Sequence, residues 1–211
     1  HSKKAFSLFQ KILSINPNHI PSLRHLGDFM RSEGKYDQAL AMHDKATRLA
    51  PRNIQVLYSL AEDYATAKQH DKEIETLQQI REHNPNSSLS LHKLRDAWLK
   101  VRNWEKAFSL QKEILRLTPF PESEKERSRL CEIIHINAMH YCAQGDTDSA
   151  SDELKRAIKE DKHSLPAYIA LGDIYFKNHL RKEALKVWKA GYSNTKSAIC
   201  LRRLPGGPSI T

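Results

Sequence analysis

The sequence predicts an all-α protein, an α-solenoid in which one helix-turn-helix unit is repeated along the chain. The 211 residues are rich in strong helix formers, and only seven glycines and nine prolines interrupt them. Four of the prolines recur at a spacing of 34 residues: Pro17, Pro51, Pro85 and Pro119. Such a spacing is typical of a chain built from copies of one unit rather than from one irregular core.

The first half-unit covers residues 1–19, where Ala5, Phe9 and Ile12 fit a second helix and Pro17 follows it. A proline cannot continue a helix, so each of the four prolines indicates the turn into the next unit. Three complete units follow, over residues 20–53, 54–87 and 88–121. Leucines fill the same two positions of their first helices: Leu23, Leu26, Leu57, Leu60, Leu91 and Leu94.

Small residues are expected where the two helices of a unit approach each other. Ala39 and Ala107 occupy that position in the first and third complete units. The second unit has Glu73 there, which predicts looser packing of its two helices.

The next unit, 122–164, contains nine extra residues, which we interpret as an N-terminal extension of its first helix, from Glu122 to about Ala143. Acidic residues at the start of this helix suit a helix N-terminus. The last unit covers residues 165–198, with Gly172 and Trp188 at packing positions. In the tail, 199–211, Ile199 could start another helix, but Pro205-Gly206-Gly207-Pro208 stops it, so a frayed end is expected.

This pattern resembles the tetratricopeptide repeat (TPR), whose unit reads W-x2-L-G-x2-Y, then A-x3-F, then P. The resemblance covers residues 1–198. It implies a right-handed α-solenoid of TPR helix-turn-helix repeats, because one unit cannot bury its apolar face without its neighbours. It also implies a concave face that binds proteins or peptides.

Composition limits the kinds of protein that the chain can be. The net charge of +9 permits contact with anionic partners, but it says nothing about the fold. The three cysteines, Cys131, Cys142 and Cys200, are too few for a disulfide scaffold. Cys131 and Cys142 lie on one predicted helix, about 16 Å apart, which is too far for a disulfide bond. No apolar stretch is long enough to span a bilayer.

The sequence contains none of three common kinds of motif: Gly-rich phosphate-binding loops, the H-E-x-x-H helix of zinc proteases and C-x-x-C cysteine pairs. We therefore expect no enzyme activity, no cofactor and no metal. Cys131, His135 and Cys142 lie near one face of the long helix. A hidden metal or enzymatic site there is an alternative, but packing explains these residues better.

The concave face of a TPR array is lined by the first helices of its units. The residues predicted to contact a partner are Arg24, Asp28, Arg31, Tyr58, Glu62, His92, Asp96, Lys100, His135, Met139, Asp173 and Lys177. They place a row of carboxylates beside basic and aromatic groups. Two interpretations remain open: the carboxylates pair with basic residues of neighbouring helices, or they contact a ligand. TPR clamps that bind a peptide carboxylate have asparagine where Asp28 and Glu62 stand, so this protein is not such a clamp.

Basic residues crowd the last unit and the tail: Lys177, Arg181, Lys182, Lys186, Lys189, Lys196, Arg202 and Arg203. A solvated face explains them adequately. The alternative is contact with anionic lipid head groups or with an acidic partner. Nucleic acid is not expected as a partner, because no aromatic stacking platform accompanies the charges.

Four stretches resemble the lipopolysaccharide assembly protein B (LapB/YciM) family, in the same order along the chain. They are GDFMRSEGKYDQALAMHDKA (27–46), VRNWEKAFSLQKEILRL (101–117), ERSRLCEIIHINAMHYCAQGDTDSA (126–150) and AYIALGDIYFKNHLRKEALKVWKAGY (167–192). The histidine of the first stretch and the long helix of the third are features of that family.

The resemblance implies a larger natural protein, with a membrane helix before residue 1 and a four-cysteine metal knuckle after residue 211. It implies a location on the cytoplasmic face of the bacterial inner membrane. It also implies an adaptor that regulates lipopolysaccharide synthesis by presenting the deacetylase LpxC to the protease FtsH. The alternative is a general TPR scaffold in envelope assembly or secretion. The oligomeric state does not follow from the sequence.

Overall fold

The computed structural model describes residues 2–204, and these residues form twelve α-helices and no strand. The helices of the first half of the chain are α1 (Ser2–Ile15), α2 (Ile20–Ser32), α3 (Tyr36–Leu49), α4 (Ile54–Thr66), α5 (His70–His83) and α6 (Ser88–Lys100). Those of the second half are α7 (Trp104–Leu117), α8 (Glu122–Ala143), α9 (Thr147–Glu160), α10 (Leu165–Lys177), α11 (Arg181–Thr195) and α12 (Ala198–Arg202). No helix within residues 2–204 combines the length and the apolar character needed to cross a membrane.

Local sequence explains where the helices begin and end. Each of the four repeated prolines stands two residues past the end of a helix, as Pro51 does after α3. The helices α4 and α6 then start with a side-chain cap: the Asn53 side chain accepts from the Gln55 and Val56 N–H groups, and Ser87 accepts from Ser90 N–H. These caps satisfy backbone donors that have no partner within the helix.

The turn inside each unit needs one residue in the left-handed conformation. Gly34 and Gly145 have φ values of 76° and 83° there, as glycine readily does. Lys68, Arg102 and His179 occupy the equivalent turns with φ values of 56° to 62°. The same backbone turn is therefore kept even where the sequence lacks glycine.

The described helices belong to two compact units, residues 1–103 and 104–211. In the first unit, α2 packs on α3 and α4 packs on α5, and short turns fold each pair into an antiparallel hairpin. Helix α3 also packs on α4, and α5 packs on α6. The core includes fully or nearly fully buried Leu23, Ala46 and Val56.

In the second unit, α8 packs on α7 and α9, and α10 packs on α9 and α11. Its core cluster includes Leu130, Ile134, Ala138, Leu154 and Leu171. Helix α8 has 22 residues and covers the range predicted for the extended helix, whereas α2, α4, α6 and α10 have 13. The division of the chain into repeats at the predicted residues stays a prediction.

The expected small residues are buried between paired helices: Ala39 and Ala107 are each 0% exposed. Glu73 is 5% exposed, and its carboxylate contacts Lys100 Nζ at 2.8 Å and His70 Nδ1 at 2.9 Å. An acidic residue fits this small position because Lys100 compensates its charge and the His70 ring lies within hydrogen-bonding distance.

The prediction of a frayed tail over 199–211 is wrong for residues 199–202, which continue the short helix α12. Ser197 caps the short helix α12, and Cys200 is buried against Gly191. Arg203 binds both carboxylate oxygens of Asp173, at 2.8 and 2.9 Å. The predicted stop at Pro205-Gly206-Gly207-Pro208 lies outside the described residues.

Candidate functional site

The predicted binding residues of the first unit come from α2, α4 and α6. Arg24, Asp28 and Arg31 lie at positions i, i+4 and i+7 of α2, which places them on one face of that helix. Arg24 Nη1 contacts Asp28 Oδ2 at 3.2 Å, and Arg31 Nη2 contacts Asp28 Oδ1 at 2.8 Å. This face of α2 therefore carries its own ion pairs.

Arg31 connects α2 to α4. Its guanidinium donates to Asp63 Oδ1 at 2.6 Å, to the Ser59 carbonyl at 2.9 Å and to Glu62 Oε2 at 3.0 Å. The Arg31 side chain is only 18% exposed, so water screens these contacts less than it screens a surface pair. Arg31 is consequently a structural link as well as a predicted binding residue.

His43 of α3 lies beneath these ion pairs and is 0% exposed. Its Nδ1 is 2.5 Å from Asp63 Oδ2, and its Nε2 is 3.0 Å from the Arg24 carbonyl oxygen and 3.4 Å from Asp28 Oδ1. All three partners are acceptors, so both ring nitrogens must donate, which requires the protonated imidazolium.

The pKa of His43 agrees with this geometry. Burial by itself lowers that pKa, but hydrogen bonds to Asp28 and Asp63 outweigh it and raise the pKa to about 9. For Asp28, burial raises the pKa, because it disfavours the charged carboxylate. The bonds to His43 and Ser59 and the charge of Arg31 outweigh burial and lower the pKa of Asp28 to about 2. Both groups are therefore charged at neutral pH.

The packing of His43 depends on the glycine opposite it. A Cβ added to Gly27 would lie 2.5 to 2.9 Å from atoms of the His43 ring, which is too close for any real contact. Gly27 stands at the glycine position of the repeat pattern. Its missing side chain makes room for the imidazole at this place between α2 and α3.

A cavity of about 230 Å³ opens between α4, α5 and α6. Its walls are formed by Ala61, Glu62, Ala65, Glu73, Leu77, Lys93, Asp96 and Lys100. Lys93 Nζ contacts Glu62 Oε1 at 2.9 Å, and Lys100 Nζ contacts Glu73 Oε1 at 2.8 Å. Three predicted residues, Glu62, Asp96 and Lys100, thus meet in one groove of mixed charge.

Two other predicted residues of this unit make local contacts. The Tyr58 hydroxyl is 3.2 Å from Ser87 Oγ. The His92 ring donates from Nδ1 to the Ser88 carbonyl at 2.7 Å, within the first turn of α6. Neither of them lines the cavity between α4 and α6.

In the second unit, α8 carries the predicted residues His135 and Met139, and α10 carries Asp173 and Lys177. Met139 packs against the core cluster, and Asp173 is bound by Arg203. Lys177 is exposed. The Nδ1 of His135 is buried and has no hydrogen-bond partner, and burial lowers the pKa of this histidine.

The pairing interpretation is confirmed for Glu62, which contacts Arg31 of α2, and for Asp173, which contacts Arg203, whereas the arginine partners of Asp28 belong to its own helix. Sequence reasoning missed the ion-pairing roles of His43, Asp63, Glu73 and Lys93. One signal was available at His43 and Glu73, which are polar residues at repeat positions that are otherwise apolar or small. A buried polar side chain needs a hydrogen-bond partner, so such a residue indicates a polar partner nearby. Contact with a ligand remains a prediction for the whole predicted set.

The alternative of a metal site at Cys131, His135 and Cys142 finds no support. Within residues 2–204, no group of three or more histidine, cysteine, aspartate or glutamate side chains could hold a metal ion. All three cysteines are free, and burial is the main reason why the pKa of Cys131 rises to about 11. A thiol with such a pKa is a poor nucleophile near neutral pH.

Comparisons with known proteins agree with this architecture. A family profile described as "Tetratricopeptide repeat" matches residues 30–97. Lipopolysaccharide assembly protein B of Escherichia coli (strain K12) is 23% identical over 176 residues, which cover 82% of this chain and 44% of that protein. The chain therefore spans less than half the length of the curated relatives that it matches.

Two solved structures show the same fold. The crystal structure of YrrB, a TPR protein with an unusual peptide-binding site, has a TM-score of 0.53 at 16% identity, covering 91% of this chain and 94% of YrrB. A tetratricopeptide repeat protein from Parabacteroides merdae has a TM-score of 0.54 at 18% identity, covering 92% of this chain and 86% of that one. These likenesses confirm the predicted fold class, an all-α solenoid of TPR repeats.

Proposed function

Because the chain is a TPR scaffold for protein interaction and resembles lipopolysaccharide assembly protein B, we propose that it is a non-catalytic adaptor of that kind. In this proposal it presents the deacetylase LpxC to the protease FtsH and so regulates lipopolysaccharide synthesis. It acts at the cytoplasmic face of the bacterial inner membrane, held there by segments outside this chain.

The observation that carries the proposal is the alignment with the E. coli protein. An alignment over 82% of the chain necessarily includes its central helices, and α8 is among them. The unusual length of α8, 22 residues, matches the long helix that the sequence shares with this family.

The groove in the first unit is suited to an adaptor. Its Lys93–Glu62 pair is partly exposed, and a pair of this kind contributes at most about 1 kcal/mol. A partner's charged groups can replace such pairs at low cost. Charge complementarity of this kind raises association rates and excludes wrong partners more than it adds affinity.

The test is capture of LpxC and FtsH by the natural full-length protein. Glu62→Gln with Lys93→Gln removes the ion pairs of Glu62 with Lys93 and with Arg31 without changing the net charge. We expect this variant to capture less LpxC or less FtsH than the natural protein does. Its helix content should be unchanged. The matched control is Asp152→Asn with Lys155→Gln, which removes an exposed ion pair of α9.

Failure of the natural protein to capture either LpxC or FtsH would contradict the adaptor role. A general TPR scaffold in envelope assembly or secretion would then be the better explanation. Capture that the groove variant and the control leave equally strong would place the binding surface outside the groove.

A further inference from the structure

A second cavity, of about 290 Å³, lies in the second unit, between α8 and the loop that joins α9 to α10. Helix α8 contributes Ser128, Cys131, Glu132 and His135, and the loop with the start of α10 contributes Asp161, His163, Ser164, Leu165 and Pro166. Cys131 and Ser164 are buried, whereas Ser128, Glu132 and Pro166 are exposed. The cavity therefore has a closed floor and an accessible rim.

The extra length of α8 helps to form this cavity. Ser128 belongs to the additional N-terminal turns, which the 13-residue first helices of the other units lack. The volume lies near the lower end of the range for small-ligand sites, roughly 300–1,000 Å³. It suits one long side chain rather than a helix.

The polar groups of the wall are mainly acceptors. Glu132 and Asp161 contribute carboxylates. Burial lowers the pKa of His135, so its ring is neutral at neutral pH, and in the tautomer protonated at Nε2 its Nδ1 is an acceptor. That Nδ1 is buried and has no hydrogen-bond partner in the described structure, an arrangement that is unfavourable unless a ligand or water supplies a donor.

The electrostatic environment of the floor is also negative. Burial is the largest cause of the raised pKa of Cys131, and the charges of Asp161, Glu160 and Glu132 raise it further, against an opposing effect of Arg127. Negative charge near a thiol disfavours the thiolate, because like charges repel. The same negative charge attracts a bound cation.

The existing partners of these carboxylates leave room for a ligand. Glu132 Oε2 contacts Arg129 Nη1 at 2.8 Å, but the two side chains are 58% and 40% exposed, so the pair is weak and replaceable. Asp161 Oδ1 accepts from the His163 backbone N–H at 2.8 Å. A carboxylate has about four lone-pair sites, so this bond does not use its full capacity.

We propose that this cavity binds one cationic side chain, a lysine or an arginine, of a partner polypeptide. The aliphatic stem packs along Cys131, Leu165 and Pro166. The charged end lies between Glu132 and Asp161 and donates a hydrogen bond to His135 Nδ1. The proposal rests on the proposed role of the chain as a protein-binding scaffold, and it adds the chemistry that the partner must present.

A purely apolar occupant fits less well. It would cover the two carboxylates and leave the His135 nitrogen without a donor, and unpaired buried polar groups are costly. An acidic side chain would be repelled by the same carboxylates. A cation with an aliphatic stem matches both the apolar and the polar parts of the wall.

The experiment is an NMR titration of the isotope-labelled chain with two blocked pentapeptides, acetyl-Gly-Ala-Arg-Ala-Gly-amide and the same peptide with norleucine in place of arginine. We expect the arginine peptide to shift the His135 ring signals and the backbone amides of residues 131–135 and 161–165 in a saturable way. The norleucine peptide should leave them unchanged. Added salt should weaken the effect, because the contact is ionic.

A double variant, Glu132→Gln with Asp161→Asn, keeps the shape of the wall and removes its charge. We expect it to bind the arginine peptide roughly three- to tenfold more weakly, because it loses two partly exposed ion pairs with the guanidinium. The matched control, Asp152→Asn with Glu183→Gln, removes two carboxylates elsewhere in the same unit and should bind like the natural chain.

Three results would overturn the proposal: equal shifts from both peptides, unchanged affinity in the double variant, or no saturable shift at all. Tighter binding of pentane-1,5-diamine than of the arginine peptide would also overturn it, in favour of a free cation. If LpxC or FtsH is captured while the arginine peptide leaves the cavity unperturbed, only the cavity proposal fails. If the peptide binds and neither protein is captured, only the adaptor proposal fails.

Discussion

Single side chains hold neighbouring helices of the first unit together. Arg31 joins α2 to α4 through three acceptors of α4, and His43 joins α3 to α2 and α4. Buried charges are costly unless each is paired, and here the imidazolium and the guanidinium share the carboxylates of Asp28 and Asp63. The stability of this unit should therefore depend on pH through a few identified residues.

We expect stability to fall at alkaline pH because of His43. Its folded pKa of about 9 lies above the ordinary value of 6.5, so the stabilisation is complete below pH 6.5 and is lost as pH rises through 9. A shift of this size corresponds to about 3 kcal/mol at the upper limit. Asp28 acts in the opposite range: its stabilisation is present above 3.8 and is lost as pH falls through 2.

Urea unfolding of the natural chain and of His43→Gln at pH 6 and pH 9 measures this effect. The variant should be clearly less stable at pH 6, and the difference should shrink at pH 9. His83→Gln, at an exposed position at the end of α5, serves as the control. If His43→Gln and His83→Gln show the same pH dependence as the natural chain, His43 is not the titrating group.

A second single-residue effect concerns Gly172, which lies against the indole of Trp188 in the second unit. A Cβ at residue 172 would approach Trp188 Cε2 to 2.7 Å. Because Trp188 is only 4% exposed, the indole has little space to move away. We expect Gly172→Ala to destabilise the protein by about 1–3 kcal/mol through overpacking, measured by urea unfolding.

The companion variant is Gly172→Ala with Trp188→Leu, which removes the ring that the new methyl group meets. The two changes should be less destabilising together than the sum of their separate effects, because they share one contact. Strictly additive effects would mean that the Cβ does not collide with the indole.

At the scale of elements, the turn inside each unit determines how its two helices pair. The left-handed residue of that turn is Gly34 or Gly145 in two units, but Lys68, Arg102 or His179 in three others. A left-handed conformation costs a residue with a side chain roughly 1–2 kcal/mol, which glycine avoids. The sequence therefore leaves some turns strained.

We expect Lys68→Gly to stabilise the chain by about 0.5–1 kcal/mol, because relief of the strain exceeds the extra entropy of glycine in the unfolded chain. Lys68 is exposed, so its side chain loses little packing. Thermal unfolding compares it with Lys68→Ala, which keeps the strain and should not be stabilised. A loss of stability in Lys68→Gly would show that the turn gains nothing from a glycine.

At the scale of the molecule, stability comes from contacts between successive helices. Within each of the two units, the described helices pack mainly on their neighbours in the chain, as α9 does on α8 and α10. In such arrays the stability is close to a sum of repeat terms and nearest-neighbour interfaces. This arrangement leaves side chains of the first helices available for partners, as in the groove between α4 and α6.

The local features of the fold could be predicted from the sequence. Proline spacing, caps such as Asn53 and the range of α8 depend on residues close together in the chain. They follow from backbone geometry and from periodicity, which act over a few residues. For the same reason the sequence could assign residues to a predicted binding face by their repeat positions, and their contact with a partner stays a prediction.

Only the tertiary structure decided which charges meet and where cavities form. His43 and Asp63 are 20 residues apart, Arg31 and Asp63 are 32 apart, and the cavity walls of Cys131 and Leu165 belong to different helices. The short helix α12 likewise forms because Cys200 finds a buried place against Gly191. The sequence alone determined the repeated helices. The pairing of distant side chains was decided by the packing of those helices, because electrostatic and steric contacts depend on distances in space rather than along the chain.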